Sequence, residues 1–173
     1  TLGYLTPAEA LSGFSNPAVI TIAFLFIISR ALQKTRILEY LIIRVRRLAD
    51  KSILLGRGVY LFTIGVASAV VNNTAIVAIF MPVSIRLAQK YKMSPSKMLI
   101  PLSYSAILGG TLTLVGTSTN LLVNSIYIET PGVEPMGMFE FMRYGLILMF
   151  VGLLYILFIA PMILPSRTST SSL

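Results

Sequence analysis

GVYLFTIGVASAVVNNTAIVAIFMPVSIRL, residues 58–87, contains no acidic side chain and no basic one before Arg86, and Asn72-Asn73-Thr74 sits at its centre. By length alone the run spans a hydrocarbon core of about 30 Å once, as a long tilted helix. The flanking charge argues otherwise. Arg44, Arg46, Arg47, Lys51 and Arg57 lie before or at its start, and Arg86, Lys90, Lys92 and Lys97 close it. A single crossing puts one basic cluster on each side of the bilayer, whereas the positive-inside rule places both on the cytoplasmic face. The run therefore enters and leaves on one side. Each arm is about 14 residues, too short to cross, so the spacing predicts a re-entrant helical hairpin over about 53–90 with Asn72-Asn73-Thr74 at its tip, at membrane depth.

The composition sets the medium for this reading. Hydrophobic residues make up 55% of the 173, charged residues 12%, and the mean hydropathy is +0.84. Soluble domains carry about 25% charged residues, so a water-soluble domain is excluded. The net charge of +8 flanks apolar segments instead of forming a basic face with interleaved aromatics, which argues against nucleic acid. Without Cys or His, the chain has no disulfide, no thiolate metal site and no imidazole base. It begins with Thr1 and shows no leader pattern, so it reads as a piece of a longer protein.

Working outward, Ser15-Asn16-Pro17 offers a helix cap and a first-turn proline, and the apolar residues after it predict a transmembrane helix over about 18–36. Ile37, Leu38, Leu41, Ile42, Val45 and Leu48 form one stripe with Arg residues elsewhere, predicting an interfacial amphipathic helix over about 37–51. Residues 97–128 are too long for one straight crossing. Their Gly109-Gly110-Thr111 to Asn120 stretch is rich in Gly, Thr, Ser and Asn, all poor helix interiors, so a helix broken by an unwound loop is expected there. Glu129, Glu134 and Glu140 mark an acidic outer loop. A last transmembrane helix follows over about 141–164, and 166–173 reads as the start of a cytoplasmic connector. This all-α integral membrane arrangement leaves only Arg143 outside among fourteen Lys and Arg, with the N-terminus out and the C-terminus in.

The two polar breaks carry the chemistry. In hydrocarbon, Asn72, Asn73 and Thr74 must face protein, water or a ligand. A hairpin tip ends one half-helix and begins another, giving free carbonyls for a cation and free N–H groups for an anion. Gly116-Thr117-Ser118-Thr119-Asn120 offers close backbone approach and neutral oxygens. Asn and Ser also act as interhelical glue and Gly pairs as packing sites, but two broken segments with matching charge topology favour a transport site. Ser68 and Ser103-Tyr104-Ser105 carry no such argument by themselves, since Ser commonly bonds back to its own helix. No Asp, Glu or His lies between 58 and 128, so no group there relays protons near neutral pH. Coupling to Na⁺ through neutral oxygens follows as the simpler expectation.

These residues resemble the divalent anion:sodium symporter family, the sodium:sulfate symporters among the citrate-transporter-like ion transporters. Asn72-Asn73-Thr74 is similar to the family's Ser-Asn-Thr tip, with Met81-Pro82 closing the helix after it. Residues 108–120, Leu-Gly-Gly-Thr-Leu-Thr-Leu-Val-Gly-Thr-Ser-Thr-Asn, resemble its second motif. The resemblance implies two inverted repeats, of which 1–165 looks like most of the first, and a homodimer in the cell membrane. It implies a sodium site at Ser68, Asn72, Asn73 and Gly116, anion contacts at Asn73, Thr74 and Thr119, and loop support from Thr117, Ser118 and Asn120. Asn72 departs from the family's usual Ser, and Ser118-Thr119 replace a proline pair common among di- and tricarboxylate carriers; the Gly116-Thr117-Ser118-Thr119-Asn120 form looks like the sulfate-permease-like branch.

The expected function is Na⁺-coupled symport of a divalent anion, sulfate or a di- or tricarboxylate, and not an enzyme, since no nucleophile, base and orienting group occur together. The alternatives are a channel or an H⁺-coupled or exchanging relative lined by the same breaks, or an inactive truncated fragment.

Overall fold

The computed structural model describes residues 6–34 and 52–166, and every regular element among them is helical. The expected interfacial helix over 37–51 and nearly all of the connector lie outside the described residues.

A short helix, α1 (Pro7–Ser12), and a 3-10 turn (Gly13–Ser15) lead into α2 (Pro17–Lys34). Asn16 is extended, and its carbonyl accepts from the amides of Val19 at 3.0 Å and Ile20 at 3.2 Å. Pro17 then occupies the first helical position, where a missing N–H costs nothing.

Next come α3 (Ile53–Ser68) and α4 (Asn73–Lys90), joined by residues 69–72. The connection is short because both ends close locally. The amide of Val71 bonds to the Ala67 carbonyl at 3.0 Å, ending α3, and the Asn72 Oδ1 accepts from the Thr74 amide at 2.9 Å, capping α4. Tyr60 shows that the arms run antiparallel. Its hydroxyl, fully buried, lies 3.1 Å from the Phe80 carbonyl and 2.8 Å from Ser84 Oγ, and its ring meets that of Phe80 at 5.9 Å. With one hydroxyl proton available, Tyr60 donates to the carbonyl and accepts from Ser84.

The third layer is α5 (Ser96–Gly110), which packs against both arms of the hairpin. Its approach to α3 is a backbone contact, since a Cβ on Gly109 would stand 1.9 Å from the Gly65 carbonyl oxygen. Met98, Leu102 and Ala106 on α5 close the core with Ile64, Ile76 and Phe80. Residues 111–117 are unwound, and α6 (Ser118–Tyr127) resumes the helix.

The last element, α7 (Met142–Ile163), is 22 residues long, and among the described residues it alone is long and apolar enough to cross a bilayer. The apolar stretch of α2 is shorter, Val19–Ile28. A wide π turn, Tyr155–Ile159, interrupts α7 before Pro161, a position that the sequence pattern had not singled out. Proline has no N–H for the Leu157 carbonyl and crowds the preceding turn, and a wider turn relieves both. A Cβ on Gly145 would lie 2.7 Å from the Thr111 carbonyl oxygen, so α7 backs directly onto the break. Ile147 and Phe150 on α7, like Phe24 and Ile27 on α2, point outward and are exposed.

These contacts give a packing prediction for the full-length protein. Gly109→Ala forces α3 and α5 apart and is expected to destabilise by at least about 2 to 3 kcal/mol. Gly58→Ala, whose Cβ would meet only the Leu157 side chain at 3.5 Å, is expected to be neutral or slightly stabilising. Thermal unfolding in detergent compares them, and equal midpoints would contradict the backbone contact.

Candidate functional site

At the hairpin tip, the last residue of α3 meets the first of α4. Ser68 is fully buried, and its hydroxyl donates to Asn73 Oδ1 at 2.5 Å. The Asn73 amide in turn lies over Gly110, the last residue of α5. A Cβ at Gly110 would stand 2.8 Å from Asn73 Oδ1, 3.0 Å from its Nδ2 and 3.2 Å from the Gly116 carbonyl oxygen. The absent side chain of Gly110 is therefore the space in which tip and break meet.

The break holds its shape by satisfying its own backbone. Thr113 is almost fully buried; its hydroxyl donates to the Ala69 carbonyl at 2.5 Å and accepts from the Gly116 amide at 3.0 Å. Asn120, one turn into α6, donates from Nδ2 to the Thr113 carbonyl at 2.9 Å and to that of Gly110 at 3.4 Å. The loop between α6 and α7 adds a further bond, from the Leu114 amide to the Met138 carbonyl at 2.9 Å.

These bonds decide which oxygens are left to a ligand. The carbonyls of Ala69, Gly110 and Thr113 already accept protein donors. Asn73 Oδ1 and the Gly116 carbonyl flank the open Cβ position of Gly110, and Ser68 Oγ joins them through its bond to Asn73 Oδ1; all three are without formal charge. They lie between the C-terminal end of α3 and the N-terminal end of α4, where peptide dipoles offer carbonyls to a cation and N–H groups to an anion.

Asn73 and Thr74 also open onto a groove of about 340 Å³, shared with Val77, Ala78, Met81, Ser103 and Ile107. Asn72 is placed differently. It lines a small cavity of about 20 Å³ with Ser118 and the α2 residues Ile22, Leu25 and Phe26, a volume that suits about one water. Thr119 is exposed on the first turn of α6 and does not line the groove. Thr117 precedes α6 as its cap residue, with no side-chain capping bond.

Ser68, Asn73 and Gly116 are thus brought together, and Thr74 joins Asn73 at the groove. Asn72, Ser118 and Thr119 face elsewhere. Three residues outside the expected set lie at this candidate cluster or groove: Gly110, Thr113 and Ser103. A signal existed for Thr113, because an unwound loop in an apolar setting needs donors of its own, but spacing alone does not say which hydroxyl supplies them.

The family model described as citrate transporter matches residues 1–171. An uncharacterised transporter of Synechocystis sp. is 44% identical over 172 residues, covering 98% of this chain and 28% of the relative. Sodium/sulfate cotransporter 1 of Chlamydomonas reinhardtii is 32% identical over 171 residues, covering 95% of this chain and 19% of the relative. The probable sodium/sulfate cotransporter 3 of the same alga is 31% identical over 171 residues, with the same 95% and 19% coverage. The chain thus spans about a fifth to somewhat over a quarter of the length of these relatives. No solved structure matches it. On the match of nearly its whole length to one family model, this chain belongs to the citrate transporter family.

Proposed function

We propose that the full-length protein is a secondary active transporter that couples Na⁺ to the uptake of a divalent anion, with sulfate favoured over a di- or tricarboxylate. One observation supports the reading: at the junction of a hairpin tip and a broken helix, Asn73 Oδ1 and the Gly116 carbonyl meet at Gly110, with Ser68 Oγ bonded to Asn73 Oδ1, a group of three neutral oxygens. Neutral oxygens suit a monovalent hard cation, and discontinuous helices are the usual frame of such sites. The Ser68–Asn73 bond is the arrangement that a cation would replace.

The anion occupies the groove beside Asn73 and Thr74, at the N-terminal end of α4, with Ser103 on its far wall. The groove has no basic lining residue, so N–H groups and hydroxyls hold the anion. The names of the algal relatives, sodium/sulfate cotransporters, support both the ion and sulfate. In the membrane, α2 and α7 cross while α3 and α4 re-enter from the cytoplasmic side. The basic residues at 86–97 and the bond from Ser96 Oγ to the Pro165 carbonyl at 2.9 Å support one shared cytoplasmic edge. A second, inverted repeat completes the site, and the whole protein forms a homodimer in the cell membrane.

Radiolabelled sulfate uptake into proteoliposomes holding the full-length protein tests this reading. Uptake is expected to require an inward Na⁺ gradient and to saturate; uptake indifferent to Na⁺ removes the coupling, and non-saturating flux indicates a channel. Ser68→Ala and Asn73→Ala are each expected to lower uptake at limiting Na⁺ by about tenfold or more. Gly110→Ala places a methyl group where the Asn73 amide lies and is expected to raise the half-saturating Na⁺ concentration by a similar factor. A Gly110→Ala protein with unaltered Na⁺ dependence would count against the assigned cluster.

A further inference from the structure

We propose that Thr113 is the positioning residue that sets the geometry of the cation site, by joining the hairpin tip to the unwound loop through a single hydroxyl. This inference rests on the Na⁺-coupled reading above.

Thr113 touches none of the three converging oxygens. Its hydroxyl gives its one proton to the Ala69 carbonyl, across 44 positions of chain, and takes a proton from the Gly116 amide. Ala69 follows Ser68 directly, and Gly116 carries the third oxygen. The relay from Gly116 N–H through Thr113 to Ala69 therefore spans the two backbones whose relative position defines the cluster. The Gly116 amide is thereby anchored to Thr113, and the Gly116 carbonyl oxygen, in the following peptide, stands 3.2 Å from the Cβ position of Gly110, beside the Asn73 amide.

Other groups do not replace this link. Asn120 holds the Thr113 carbonyl but bonds only within the broken segment. The Ser68–Asn73 bond lies within the hairpin and is the one a cation disrupts. When a cation separates Ser68 from Asn73, Thr113 keeps the loop backbone that enters Gly116 in register with the tip. Valine at 113 fills nearly the same volume but leaves the Ala69 carbonyl unpaired and the Gly116 amide with only its longer bond, 3.3 Å, to the main-chain carbonyl of residue 113; serine retains the hydroxyl and loses only a methyl group.

The test uses the full-length protein and two readouts, Na⁺-dependent thermal stabilisation in detergent at constant ionic strength and sulfate uptake against Na⁺ concentration. Thr113→Val is expected to raise the half-saturating Na⁺ concentration about tenfold in both, with the maximal uptake rate largely kept. Thr113→Ser is expected to stay within about twofold of wild type. Thr63→Val, which removes only a bond from the Thr63 hydroxyl to the Val59 carbonyl one turn back on α3, is expected to leave the Na⁺ midpoint unmoved. A folded Thr113→Val protein with the wild-type Na⁺ midpoint overturns the proposal. If Thr113→Val does not fold, a Thr113→Ser protein whose midpoint moves tenfold overturns it, because the hydroxyl is then not what matters. A wild-type protein without any Na⁺ response overturns the coupled-transport reading as well, and differs visibly from a wild-type response that Thr113 fails to alter.

Discussion

A backbone amide or carbonyl left unpaired in hydrocarbon costs several kcal/mol, and the arrangement of this chain follows from where that cost is met. Within α3, α4 and α5 the helical ladder meets it. At residues 69–72 and 111–117 the ladder stops, and the two interruptions satisfy each other: Thr113 reaches the tip, and Asn120 reaches back over its own loop. Two polar gaps that would each be costly alone are stable because they face one another. The small residues at Gly65, Gly109 and Gly110 make this possible by letting α3 and α5 touch backbone to backbone. Any larger side chain there separates the gaps and exposes both.

Much of this was legible in the sequence, because charge and length are one-dimensional quantities. Basic residues on both sides of a run with no charge before Arg86 require it to double back, and Asn72-Asn73-Thr74 is the only polar triplet near its middle. The glycines and hydroxyls between 109 and 120 likewise announce a break, and the helix stops at Gly110 and restarts at Ser118. What a sequence does not display is the direction of a side chain at a turn. Asn72 and Asn73 are adjacent, yet Asn72 caps α4 and faces α2, whereas Asn73, as the first helical residue, points onto Gly110. Consecutive residues on a helix are about 100° apart, so one position separates a residue of the cluster from a cap.

The same reasoning explains why Gly110 and Thr113 were not read as functional. A glycine in an apolar helix has a ready structural explanation, and only the position of the Asn73 amide reveals that the missing methyl leaves room for that side chain. Thr113 lies among similar residues, Thr111, Thr117 and Thr119; its burial, with Thr111 and Thr117 half-buried and Thr119 exposed, separates it from them. The π turn in α7 is different in kind. Pro161 was visible, but a proline in a helix can produce a kink, a stop or a wider turn, and the neighbouring packing selects among them.

The groove beside Asn73 and Thr74 has no ionisable lining residue among the described residues, and on the proposed reading that bears on coupling. If a divalent anion lies in the groove beside Thr74, no cationic side chain there offsets its charge, and the α4 terminus supplies only partial charges. A Na⁺ at Ser68, Asn73 and Gly116 would supply the missing positive charge. At a separation of about 5 Å and an effective dielectric of about 20, the attraction is about 3 kcal/mol for each of the anion's two charges, so that one charge alone is enough to change anion affinity about a hundredfold. Asn73 has a part in both sites, with Oδ1 in the oxygen cluster and its side chain lining the groove. A fixed lysine or arginine in the groove would hold the anion whether or not the cation had bound. On the proposed reading, the neutral lining of this repeat's share of the groove would leave the anion drawing on the ion's charge.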